Sequence, residues 1–74
     1  MWEKGTVNVG GAGYAYHAKV YEEGSEFGID GGRVSKLEMT RDGEIVCSYD
    51  RGWDVEPEGE MDIEALGHVL CFYE

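Results

Sequence analysis

The stretch "YDRGWD" (49–54) sets Arg51 between Asp50 and Asp54 and places Trp53 beside a glycine. This grouping brings together the side chains of this chain most suited to chemistry. An arginine flanked by two carboxylates can be held as the centre of an ion pair. Arginine and tryptophan are also the residue types enriched at the energetic centres of protein interfaces. The structural expectation is that Gly52 makes a turn, that Asp50 and Asp54 pair with Arg51, and that Trp53 plugs the open edge between a sheet and a helix. The functional expectation is that Arg51 and Trp53 project as binding anchors, with Asp50 and Asp54 beside them.

Other chemistries find no pattern. His68 and Cys71 stand three apart and could share a metal, but zinc-finger spacing is absent and His17 lies far along the chain. Ser25, Ser35 and Ser48 have no G-x-S-x-G setting. "GGAG" (10–13) fails the dinucleotide fingerprint, because Tyr16 stands where the last glycine is needed and no Walker lysine follows. "DRGWDVEPE" has Gly52 and Trp53 where a calcium loop needs oxygen ligands. Carboxylate pairs are plentiful, but none lies near an evident nucleophile. No catalytic residue, cofactor or metal is therefore expected. An enzyme is disfavoured because so short a chain leaves little room for both core and pocket.

These residues must be positioned by a small scaffold. The chain has 74 residues, enough for one domain that buries only ~60% of its unfolded surface. It is 42% hydrophobic with two Trp, five Tyr and two Phe, which suffices for a core and disfavours disorder. Cys47 and Cys71 are too few for a disulfide framework, and reduced, half-buried thiols are expected. Sixteen acids against six bases give a net charge of −10. That disfavours direct binding to nucleic-acid phosphates or to an anionic membrane. It suits either plain solubility or a decoy for a basic protein. Without a signal-peptide pattern or a long apolar run, a cytoplasmic location is expected.

The elements read as β-β-β-β-α, an α+β fold in which one C-terminal helix covers one face of a four-stranded antiparallel, meander-like sheet. Strands are expected at about 5–9, 14–21, 34–40 and 44–50, and a helix at about 60–73. Tyr14, Tyr16, Ala18 and Val20 alternate onto one face, with Ala15, His17, Lys19 and Tyr21 on the other. Residues 22–33 form a loop whose Phe27 and Ile29 tuck back as anchors. For the second hairpin, a three-residue turn Arg41-Asp42-Gly43 with Gly43 left-handed separates the faces most cleanly. It pairs Met39 with Ile45, Leu37 with Cys47 and Ser35 with Tyr49. In the helix, Ile63, Leu66, Leu70 and Tyr73 make the apolar stripe, widened by Met61, Ala65, Val69 and Phe72. Gly67 is expected to allow close approach to the sheet. The far face carries Tyr21, Ala15 and Val46 among polar neighbours, either as a wet face or as a homodimer surface.

The runs "GSEFGIDGGRVSKLEM" (24–39) and "SYDRGWDVEPE" (48–58) resemble a family of small acidic proteins of phages and prophages, a domain of unknown function. The resemblance extends from residue 19 to about 59. It marks Gly28, Gly31, Gly32, Arg33, Tyr49, Asp50, Arg51, Gly52, Trp53 and Asp54 as signature positions. It implies a viral or mobile-element origin and assigns no chemistry. Arg33 joins Arg51, Trp53, Asp50 and Asp54 as a candidate partner contact. The expected function is a non-enzymatic protein-interaction module that binds a host or phage protein in the host cytoplasm. The alternatives are an acidic nucleic-acid mimic and, behind it, a small hydrolase.

Overall fold

The computed structural model describes residues 1–73. Five strands form one antiparallel sheet in sequence order: β1 (Trp2–Val9), β2 (Ala12–Val20), β3 (Val34–Arg41), β4 (Glu44–Asp50) and β5 (Trp53–Val55). A 3-10 turn, Ile29–Gly31, interrupts the β2–β3 connection, and α1 (Glu60–Tyr73) closes the chain. The α+β class and the helix bounds agree with expectation. The fifth strand does not: residues 53–55 continue the meander as a short edge strand, too brief for period-two alternation to reveal.

β1 and β2 meet through Gly10 and Gly11, at φ 55° and 83°. This is a two-residue turn with both central residues left-handed, the form whose twist matches a hairpin. Tyr14, Tyr16, Ala18 and Val20 are all buried, as their alternation requires.

The β3–β4 hairpin corrects the expected register. Its turn is the two-residue Asp42-Gly43, at φ 53° and 81°. Asp42 adopts the left-handed region that aspartate tolerates better than most residues. Arg41 therefore pairs with Glu44 and Thr40 with Ile45, after which Val46 is an extra residue on β4. This β-bulge restores the facing. Met39 opposes Cys47 and Leu37 opposes Tyr49, all four buried, while Ile45 is exposed. The sheet thus separates its faces with a bulge where a longer turn was expected. Gly43 is left-handed as expected.

The buried stripe of α1 is Ala65, Leu66 and Val69, with Leu70 and Tyr73 half-buried. Ile63 and Phe72, expected in the stripe, are 52% and 76% exposed, and Met61 is also exposed. The cause is at the helix start. The Tyr14 hydroxyl donates to Asp62 Oδ1 at 2.6 Å, so Asp62 faces the sheet and Ile63, one residue on, is rotated away. Arg41 donates to the same Asp62 oxygen (3.4 Å) and to the Tyr14 oxygen (3.2 Å). At the other end of α1, Tyr16 and Tyr73 share a hydroxyl–hydroxyl bond of 2.9 Å. Gly67 is exposed, and a Cβ added there would meet nothing within 4 Å, so it serves no close approach to the sheet.

The helix backbone comes closest to β1. The β2–β3 loop supplies further cover, with Ile29 buried in the core and the Tyr49 hydroxyl donating to the Phe27 carbonyl (2.9 Å). The Phe27 ring itself is exposed, contrary to expectation: its backbone is the anchor, not its side chain. The loop folds tightly on itself. Ser25 N–H donates to the Gly32 carbonyl, and a Cβ at Gly28 would run into that same carbonyl.

Candidate functional site

The turn between β4 and β5 is Asp50-Arg51-Gly52, closed by a bond from the Asp50 N–H to the Gly52 carbonyl (2.9 Å). Arg51, not Gly52, takes the left-handed conformation, at φ 58°. Its N–H donates to the Ser35 carbonyl at 3.1 Å, which docks the turn onto β3. The Arg51 side chain is 66% exposed, with Nε 3.6 Å from Asp50. Asp50 also lies 3.8 Å from Lys36 Nζ. Asp54 makes no ion pair with Arg51 among the described residues. It is the extra residue of a bulge in β5, exposed beside the Ser48–Val55 and Tyr49–Trp53 pairs.

Trp53 is half-buried and sits edge-on to the Tyr49 ring, with centroids 5.0 Å apart. It packs against the core from β5, the sheet edge opposite β1. Its support is thus a neighbouring strand rather than a gap between sheet and helix. Arg33 is half-buried on the loop side, its Nε donating to the Tyr21 carbonyl (2.7 Å). The structure therefore brings Arg51, Asp50 and Trp53 to one corner. It leaves Asp54 at the rim and commits Arg33 to holding the loop.

Sequence reasoning missed the residues that join this corner. β2 and β3 shift register between Lys19/Lys36 and Val20/Val34, so Ser35 is an extra, bulged residue on β3. Ser35 is only 4% exposed, and its Oγ has no hydrogen-bond partner. Ser35, Lys19, Tyr21, Lys36 and Arg51 line an open cavity of about 810 Å³, closed on the loop side by residues 22–25 and Phe27. The Lys19 ammonium stands over the Tyr21 ring, 5.5 Å from its centroid. The Tyr21 phenol is held below its ordinary pKa, first through Lys19. Lys19, Tyr21 and Lys36 sit at far-face positions that alternation marks as solvated, so no pattern along the chain singles them out.

The cysteines offer little chemistry. Both are free, Cys47 buried and Cys71 exposed rather than both half-buried. Burial, and then the Asp62 charge, push the Cys47 thiol up to about 11, so it is not a nucleophile at neutral pH. His68 lies 3.8 Å from Glu64, its i−4 neighbour. Among the described residues no group of three His, Cys, Asp or Glu side chains is placed to hold a metal ion. Among the described residues no helix is long and apolar enough to cross a membrane.

A five-stranded meander capped by one helix and a folded-back loop, with three of its six cations gathered at one corner, defines a small α+β domain. The chain belongs to the family described as a domain of unknown function (DUF7678), which it matches over residues 1–74. No curated protein and no solved structure matches it.

Proposed function

We propose that this protein is a non-enzymatic interaction module that presents its β4–β5 corner to a protein partner. The observation that carries this is the fixing of Arg51. Its backbone is locked in a left-handed turn and bonded to Ser35, and its guanidinium is exposed beside Asp50 and near half-buried Trp53. An arginine already held this way loses little further freedom on binding. The resemblance of the 24–39 and 48–58 runs to phage and prophage proteins supports a factor that acts on a host or phage protein.

The test passes bacterial lysate over immobilised wild type and Arg51→Ala at low and raised salt. A discrete partner retained by wild type and lost by Arg51→Ala is expected. Retention of basic, nucleic-acid-binding proteins by both forms, released as salt rises, would make the protein an acidic decoy instead. The net charge of −10 favours that second reading. Turnover of simple esters or phosphate esters by the purified chain would replace both with a hydrolase.

A further inference from the structure

Three of the chain's six lysines and arginines, Lys19, Lys36 and Arg51, line one cavity of a molecule whose net charge is −10. Chance scatter over an acidic surface would pair such cations with carboxylates. Lys36 and Arg51 do share Asp50, but Lys19 has no carboxylate within salt-bridge distance among the described residues. The second observation is Ser35. A β-bulge places it at the cavity wall, buried, with its hydroxyl unpartnered. Buried hydroxyls are nearly always bonded, so an orphan beside a cationic cavity needs a reason. The third is Tyr21, 46% exposed, which lines the same cavity with the Lys19 ammonium 5.5 Å from its ring centroid. A ligand seated against this wall would give the Ser35 hydroxyl the partner it lacks.

We propose that this cavity binds a small organic oxyanion, a carboxylate or phosphate group, received by Lys19, Lys36, Arg51 and the Tyr21 hydroxyl. The ligand gives the Ser35 hydroxyl a partner, and the exposed Phe27 ring offers a surface for the ligand's apolar body. Charge-assisted bonds of this kind are the strong ones. The volume falls within the ~300–1,000 Å³ span of small-molecule sites. Glu22 and Glu23 line the loop wall and oppose the anion, which makes their removal informative.

The experiment is an amide-resolved NMR titration of the full chain with benzoate, phenyl phosphate and inorganic phosphate, against chloride at matched ionic strength. Saturable shifts are expected at Lys19, Tyr21, Ser35, Lys36 and Arg51. The tighter of benzoate and phenyl phosphate assigns the head group. Tyr21→Phe and Lys19→Gln should each weaken binding by about tenfold, the scale of one hydrogen bond to a charged group. Ser35→Ala should weaken it by about threefold to fivefold, and Glu22→Gln with Glu23→Gln should tighten it. Lys4→Gln, which removes a cation outside the cavity, should leave it unchanged. Shifts that never saturate, that chloride reproduces, or that respond as strongly to Lys4→Gln as to Lys19→Gln overturn the site. The side chains of Lys19, Tyr21 and Ser35 play no part in the protein-partner reading, so failure here leaves that reading standing, and the converse holds.

Discussion

Tyr14 and Asp62 lie 48 residues apart and share a 2.6 Å hydrogen bond that fixes which face of α1 meets the sheet. The Tyr14 side chain is fully buried by the fold around it, and this bond to Asp62 is the first cause that raises its pKa. Arg41 on β3 bonds to both partners, so three elements meet at one carboxylate. Tyr14→Phe should lower Tm by about 5 °C or more, and Asp62→Ala by more than that, since it strips both Tyr14 and Arg41 of their acceptor. Calorimetry on the two variants checks the order. A neutral Asp62→Ala would show that packing of Ala65, Leu66 and Val69 alone orients the helix.

Trp53 and Arg51 should separate stability from binding. Trp53→Ala should cost ~2–3 kcal/mol, because the half-buried ring loses its contact with Tyr49 and leaves the core edge open. Arg51→Ala removes one exposed ion pair with Asp50 and should cost ~1 kcal/mol or less. Arg51→Gly should match or exceed wild type, since glycine takes the φ of 58° freely. Urea midpoints of the three variants decide this. If Arg51→Ala unfolds the chain while Trp53→Ala is neutral, the roles are reversed.

The β3–β4 register predicts specific close pairs. Cross-strand NOEs should join Met39 to Cys47 and Thr40 to Ile45, and none should place Met39 opposite Ile45. Gly43→Ala should cost ~1 kcal/mol from backbone strain alone, as φ is 81° and no atom stands within 4 Å of a new Cβ. A neutral Gly43→Ala would mean that the turn adopts another form.

Alkaline pH should weaken the fold in a defined window. Burial first, and then Asp62, raises the Cys47 thiol from 9.0 to about 11; burial first, and then Tyr16, raises Tyr73 from 10.0 to about 12. Both groups bind their proton more tightly in the folded chain. Their contribution is therefore complete below about pH 9 and is lost as pH rises towards 12. Tyr21, shifted down, acts in the opposite direction, but it is exposed and screened. Urea midpoints from pH 8 to 11 should fall for wild type and fall less for Cys47→Ala. A thiol reagent at pH 8 should label Cys71 alone in the native state and both cysteines in urea.

Much of the scaffold was legible along the chain, for local reasons. Glycine pairs and Asp-Gly mark hairpin turns by the backbone angles they permit. Tyr14 to Val20 alternate because a half-buried strand has period two. Acids crowd residues 58–64 ahead of an apolar stripe, and the helix begins among them, at Glu60. The site was only partly legible. Arg51, Asp50 and Trp53 could be singled out because they are neighbours in sequence. Lys19, Tyr21 and Lys36 could not, because nothing in their own surroundings distinguishes them from a solvated strand face, and Ser35 read as an ordinary core-face position opposite Tyr49.

The sequence by itself determined the first four strands and the helix in their order, the β2 facing, the helix bounds and the acidic charge, since each rests on neighbours within a turn or a strand. Tertiary structure alone decided the bulges at Ser35 and Val46, the rotation of α1 away from Ile63, the docking of β5 and the gathering of three cations around one hydroxyl. Each of these depends on a partner many residues away. A bulge exists only relative to the strand it is paired with. The helix turns to satisfy Asp62 against Tyr14 and Arg41, a constraint of hydrogen bonding across the fold that outweighs the wider apolar stripe written along the helix itself.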